Sequence, residues 1–239
     1  MSPLQQIDSL LFLNINNFAG RSAMLDRVVF DVSDSTILKG GLFVAFYWWL
    51  WFDDRQSGRS GRRRDVVVSL MCGVIAAIIS RGLQVGLPFH QRPLHTPDLA
   101  MRLPLSVDPE ALNSFSSFPS DHAVLFFALC VPIWRRSRRL GTIAALWTLL
   151  VICLPRIYLG YHWPSDVIAG AVIGMSLMPV LCLALRSTRL PDRLLRLEAA
   201  HPATFYAASW LLALELAVLF YDVRHFLLDA VNLAKMLVA

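Results

Sequence analysis

The sequence predicts an all-α protein, a polytopic membrane helical bundle of about six transmembrane helices with a surface N-terminal segment. Three observations carry that prediction. Of the 239 residues, 56% are hydrophobic and the mean hydropathy is +0.54, too apolar for a soluble domain of this length. Several runs approach or exceed the roughly 18 apolar residues that mark a bilayer span. The arginines cluster in short loops between those runs, the asymmetry that orients helices in a membrane. The same placement accounts for the net charge of +5, so no nucleic-acid partner is expected.

Residues 1–35 hold two short amphipathic stretches, one around Leu10, Leu11, Phe12, Leu13 and Ile15, the other from Met24 to Val32. Neither is long enough to span, and both are expected on the membrane surface. The opening residues lack the basic start and small-residue cleavage site of a signal peptide, so the first span is expected to act as the insertion signal. That span covers about 37–52 and ends in an aromatic belt of Tyr47, Trp48, Trp49 and Trp51. A Gly/Ser/Arg-rich loop with Arg55, Arg59, Arg62, Arg63 and Arg64 follows and reads as cytoplasmic.

The second span, about 66–87, carries Arg81, which is costly in hydrocarbon unless it faces a polar cavity or the interface. Pro88 ends it. The connection 88–119 contains His90, Arg92, His95, Asp98, Arg102, Asp108 and Glu110, and so long a connection is expected to be functional. A third span starts at SFPSDH and runs to Trp134. It is short, which suits a start sunk in a protein-lined pocket. Arg135, Arg136, Arg138 and Arg139 close it. The fourth span, about 141–159, delivers Arg156. The fifth, about 167–185, follows His162, with Pro164 and Asp166 in its first turn, where both residue types are favoured. Arg186, Arg189, Arg193 and Arg196 come next, then a sixth span at about 203–221 and a short interfacial tail from Asp222. Cys72, Cys130, Cys153 and Cys182 all fall within spans and show no metal or disulfide spacing.

This threading places three arginine-rich loops on one side of the membrane. The stretches around Arg92, His122 and His162 meet on the other, expected to be periplasmic or extracellular. An arginine, histidine and carboxylate set of that kind suits phosphate chemistry. Arg92 and Arg156 offer planar forks for phosphate oxygens, and Ser120 and backbone N–H groups offer further donors. His162 can attack phosphorus with Asp166 orienting its ring, and His122 can protonate the leaving oxygen. The remaining histidines, His90, His95, His201 and His225, read as structural. Asp121 reads as a plain first-turn carboxylate, and Arg102, Asp108 and Glu110 read as solvated loop charges.

The chain resembles the type-2 phosphatidic acid phosphatase family of membrane lipid phosphatases, and within it the bacterial undecaprenyl-diphosphatase branch. The family pattern K-x6-R-P is matched by VGLPFHQRP, ending in Arg92 and Pro93; P-S-x-H by Pro119 to His122; and S-R-x5-H-x3-D by Arg156, His162 and Asp166. The resemblance covers about 66–185, the expected catalytic core of a single membrane phosphatase domain over 1–239. It implies that His162 forms a phosphohistidine, that Asp166 orients it, that His122 serves as acid and then base, and that Arg92, Arg156 and Ser120 bind the phosphate. It implies no metal and no cofactor, and a lipid phosphate in the bilayer as the partner. The substrate it points to is undecaprenyl diphosphate, hydrolysed at the inner (plasma) membrane in cell-wall biogenesis. A lipid phosphotransferase of the same fold is the alternative. Two positions depart from the pattern: Val85 stands at the family lysine and Pro155 at the family serine. Arg81, one helical turn before Val85, is the candidate substitute, ahead of Gln84.

Overall fold

The computed structural model describes residues 3–57, 61–105 and 107–219. Among them all regular structure is helical. The expected interfacial tail from Asp222 lies outside the described residues. Among the described residues, three helices are long and apolar enough to cross a membrane: α4 (Arg62–Gly86), the continuous segment Arg138–Tyr158, and α8 (Pro164–Arg186). The middle one is α6 (Arg138–Trp147) and α7 (Leu154–Tyr158), joined by a π-helical stretch Thr148–Cys153. At 25, 21 and 23 residues they reach across the roughly 30 Å of a hydrocarbon core. The expected first, third and sixth spans correspond to shorter helices of 16 residues each: α3 (Leu42–Ser57), α5 (Asp121–Arg136) and α10 (Pro202–Ala217). Between α8 and α10 lies α9 (Leu190–Ala200).

The short helix α5 is the axis of the fold. Every residue from Asp121 to Cys130 is buried, so its length answers to protein neighbours rather than to bilayer thickness. Leu125, Phe126 and Leu129 pack with Val68 and Cys72 of α4, Ile152, and Met178 of α8. The approach of α8 is closest because Gly170 and Gly174 remove side chains from the contact. A Cβ on Gly174 would meet the Val124 carbonyl oxygen at 2.2 Å, and one on Gly170 the Ser120 oxygen at 2.7 Å. Small residues four apart are how helices approach backbone to backbone in a membrane. Gly174→Ala is therefore expected to push α8 away from α5 and destabilise the protein by about 1–3 kcal/mol or more. Thermal unfolding in detergent measures this; an unchanged Tm would show that the contact yields.

The N-terminal helices α1 (Pro3–Asn16) and α2 (Ala23–Asp34) do more than lie on a surface. Phe12 is fully buried, with its ring 5.6 Å from that of Trp163. Asp8 accepts hydrogen bonds from the Ser165 N–H and hydroxyl at 2.9 and 2.5 Å. Asn16 bridges the backbones of Arg102 and Tyr158. Asp26 accepts from the Tyr158 hydroxyl at 2.5 Å and from the Leu105 N–H at 3.0 Å, and these bonds hold its carboxyl below the usual carboxylate range despite burial. The opposite faces, with Leu4, Ile7, Leu10, Met24 and Val28, are exposed. The pair thus braces the segment 158–165.

The arginine-rich ends gather at the far end of the bundle. Arg64 pairs with Asp192 at 2.9 Å and Arg186 with Asp65 at 2.7 Å. The Cys72 and Cys182 sulfurs lie 3.5 Å apart within the core.

Candidate active site

The loop after α4 and the starts of α5 and α8 converge on one cavity of about 400 Å³ whose wall includes Arg81, Arg92, His122, Arg156 and His162. Five of the expected site residues therefore share one space. Asp166 sits behind His162, wholly buried.

His162 is 1% exposed. Its Nδ1 lies 2.9 Å from the Ser117 carbonyl oxygen. A carbonyl can only accept, so Nδ1 carries the proton and Nε2 keeps its lone pair. Asp166 stands behind the same Nδ1 at 3.7 Å, farther than a hydrogen bond. The expected direct orienting bond from Asp166 is thus replaced by a backbone carbonyl, and the carboxylate acts on the ring through space. Asp166 Oδ2 is itself fixed by the Ser117 hydroxyl at 2.5 Å and by the Trp163 N–H at 2.8 Å, half of a capping box at the start of α8. Its Oδ1 faces His90 Nδ1 at 3.3 Å. This contact makes His90, expected to be structural, a neighbour of the site, and the carboxylate raises its pKa. Burial lowers the pKa of His162, more than Asp166 raises it. The ring is thus neutral and nucleophilic at neutral pH.

Arg92 is 4% exposed, and its guanidinium is committed to backbone: Nε to the Phe115 oxygen and Nη2 to the Ser116 oxygen, both at 3.1 Å, and Nη1 to the Tyr161 oxygen. Burial lowers its pKa to about 10, which leaves it a cation at neutral pH. Arg156 contrasts with it. Its Nε is buried without a protein partner, and its guanidinium lies 5.6 Å from the Tyr161 ring. A buried arginine N–H without an acceptor in a cavity wall is a ready place for an anion.

His122 pairs through Nδ1 with Asp121 at 2.9 Å. Asp121 also accepts the His122 backbone N–H and lies 3.4 Å from Arg81 Nη2. Asp121, expected as a plain first-turn carboxylate, thus fixes the His122 ring and ties Arg81 into the site. Arg81 also bonds Gln84, whose Nε2 donates to the Pro119 oxygen at 2.8 Å. Val85 is 86% exposed and lies off the cavity, so the wall is reached from Arg81 and not from the face that carries Val85.

Ser120 occupies the N-cap position of α5 without making a side-chain cap. Its hydroxyl is fully buried and has no protein partner. Its N–H donates to the Asp166 carbonyl oxygen at 3.2 Å and that of His122 to Asp121, so neither remains for phosphate. His95 bonds the Ala111 oxygen, in keeping with a structural reading; Arg102, expected as a solvated loop charge, donates to the Asn17 backbone oxygen 85 positions away; His225 lies outside the described residues. Among the described residues, no group of three or more His, Cys, Asp or Glu is arranged to hold a metal ion. Sequence reasoning missed Ser117 and Lys39, which also lines the cavity. A lysine inside an apolar run is itself a signal.

Residues 85–191 match the model of the PAP2 superfamily. The chain carries a PAP2 superfamily domain. Its motif residues, from Arg92 to Asp166, all fall within that match, whereas Arg81 and Lys39 lie outside it. The chain is 27% identical over 172 residues to the bacitracin transport permease protein BcrC of Bacillus licheniformis, covering 71% of this chain and 75% of that one. It is 24% identical over 169 residues to the undecaprenyl-diphosphatase BcrC of Bacillus subtilis, covering 69% and 77%. Its fold is like that of a transmembrane PAP2-type phosphatidylglycerolphosphate phosphatase from Bacillus subtilis, with a TM-score of 0.53 at 20% identity over 79% of this chain and 90% of that one. The PAP2 superfamily domain and the relatives named as phosphatases support a phosphatase, and the three helices of membrane-spanning length support an integral membrane protein.

Proposed function

We propose that the protein hydrolyses a polyprenyl diphosphate, undecaprenyl diphosphate foremost, through a phosphohistidine on His162. The observation that carries this reading is the His162 ring, with Nδ1 tied to a carbonyl and Nε2 left as a lone pair in a cavity walled by Arg92 and Arg156. Nε2 attacks phosphorus, the bond to the bridging oxygen breaks, and His122 supplies that oxygen with a proton. His122 then takes a proton from water, which attacks the phosphohistidine and releases inorganic phosphate. Asp166 stabilises the imidazolium. Arg92, Arg156 and the Ser120 hydroxyl stabilise the charge on the transferring group, with Arg81 at the rim. The arginines take the place of a metal.

The reading includes six spans, α3, α5 and α10 joining the three long helices, with lipid entering laterally. The arginine-rich ends lie at the far end of the bundle from the site, which supports a site on the periplasmic or extracellular face of the plasma membrane. The homologous undecaprenyl-diphosphatase supports the substrate.

Purified protein in detergent given undecaprenyl diphosphate tests the reading. Free phosphate and the lipid monophosphate are expected, with a chelator making no difference. No turnover would overturn it, and phosphate appearing on a supplied lipid acceptor instead of in solution would establish transfer. The acid limb of kcat/KM, which follows loss of neutral His162, is expected below the ordinary histidine value of about 6.5. Asp166 raises the His162 pKa, so Asp166→Asn is expected to move that limb to still lower pH while the maximal rate falls. A limb that moves upward would exclude His162 as its source.

A further inference from the structure

The cavity holds one more cation, from a part of the chain outside the PAP2 match. Lys39 lies in the π-helical turn Ile37–Gly41 ahead of α3 and lines the cavity beside Arg156, His122 and Asp121. Only two of the 22 basic residues are lysines, Lys39 and Lys235, and the second lies outside the described residues. Among the described residues the Lys39 ammonium makes no close hydrogen bond or ion pair, and the charges that act on it are Arg156 and the carboxylates of Asp34 and Asp121, all in the same wall. Its backbone is nonetheless anchored on both sides. Trp147 Nε1 donates to the Leu38 oxygen at 2.9 Å, and Gly40 packs so closely on Ala217 that a Cβ there would meet the Ala217 Cα at 2.2 Å. A half-buried ammonium held in place by its backbone, with carboxylates nearby but none hydrogen-bonded to it, can receive an anion that enters the cavity.

Lys39 shares the cavity wall with Asp121 and His122, and Asp121 holds the His122 Nδ1 at 2.9 Å, so the ammonium and the acid of the reaction face one space. In-line attack by His162 puts the leaving group on the His122 side. For a lipid diphosphate that leaving group is itself a phosphate. The compact ammonium of a lysine meets such a group as a point charge, whereas a planar guanidinium fork is built for bidentate contact.

We propose that Lys39 grips the second, untransferred phosphate of a diphosphate substrate and so makes the site prefer diphosphate over monophosphate lipids. The proposal rests on the phosphatase reading above and refines its substrate class. As the bond between phosphorus and the bridging oxygen breaks, the departing lipid monophosphate gains negative charge. Lys39 neutralises that charge while His122 delivers the proton to the bridging oxygen.

Two measurements test it. In the first, wild-type protein in detergent is labelled by amine-directed reductive methylation, read residue by residue by mass spectrometry. Methylenediphosphonate is expected to slow labelling of Lys39 several-fold, inorganic phosphate to slow it much less, and neither to affect Lys235. In the second, Lys39→Ala is expected to lower kcat/KM on a polyprenyl diphosphate by about 10–100-fold and on the matching monophosphate by less than about threefold, with Lys39→Arg recovering part of the loss. Labelling indifferent to the diphosphonate, or equal losses on the two substrates, would overturn the proposal. Turnover of the diphosphate by wild type without protection of Lys39 would remove the proposal and leave the phosphatase reading intact. Protection of Lys39 without turnover of either lipid would do the reverse.

Discussion

His162→Ala is expected to reduce phosphate release by at least about ten-thousand-fold, the scale on which removal of a covalent nucleophile acts. No other side chain in the cavity can stand in. The His122 ring is held by Asp121 through Nδ1. The His90 ring is turned to Asp166 and Ser117. Removal of a buried imidazole leaves the Ser117 carbonyl without its donor, so the variant is expected to unfold at a somewhat lower temperature while remaining helical. Acid-labile phosphate trapped on wild type and absent from the variant identifies the intermediate. A nitrophenyl phosphate, whose leaving group needs no proton, is expected to restore the first step in His122→Ala, so that labelled protein accumulates. Rapid turnover by His162→Ala would end the covalent mechanism.

The second large effect separates two arginines of the same cavity. Arg92→Lys is expected to be nearly as damaging as Arg92→Ala, because a single ammonium cannot serve the three carbonyls of Phe115, Ser116 and Tyr161. Each orphaned carbonyl costs about 1–3 kcal/mol, so a fall of at least about 5 °C in Tm accompanies the loss of activity. Rate and stability fall together, since the same loops carry Ser117 and His162. Arg156 gives the opposite pattern. Its Nε has no protein acceptor to lose, so Arg156→Ala is expected to unfold within about 2 °C of wild type. Its kcat/KM is expected to drop by about 100–1000-fold, as when one donor to developing charge is removed. Thermal unfolding and steady-state kinetics on the same preparations check both. A destabilised Arg156→Ala would assign that arginine to scaffolding.

The residues that sequence could reveal are those whose chemistry resides in the side chain and whose position is set by the ends of helices. His122, Arg156 and His162 are of this kind, and the short third span gave away the buried α5 through its length alone. Ser117 could not be read in this way. Its decisive group toward His162 is a backbone carbonyl, which every residue possesses, and only the tertiary path of the loop brings it to Nδ1. Asp121 was misjudged because a carboxylate in a first turn already has a local explanation, and its hold on His122 and Arg81 depends on how α4 and α5 pack. The departure at Val85 suggested a substitute on the same helix face. The structure turns Val85 outward and brings Arg81 into the wall, with Lys39 joining it from the turn ahead of α3. The amphipathic N-terminal stretches looked like membrane-surface helices because Asp8, Asn16 and Asp26 give no sign, in sequence, that protein partners await them.

Those partners lie far along the chain. Asn16 reaches Arg102 across 86 positions, Asp26 reaches Tyr158 across 132, and Asp8 reaches Ser165 across 157. As the polypeptide is made, α1 and α2 therefore have nothing to dock on until the middle of the chain has been threaded through the membrane. Contacts of such long sequence separation form late, because the intervening chain must be ordered before they repay its entropy. The catalytic loop is thus secured from behind only after the chain has been made as far as Ser165, so that a shorter chain holding His122 alone is still without the brace that sets His162 in place.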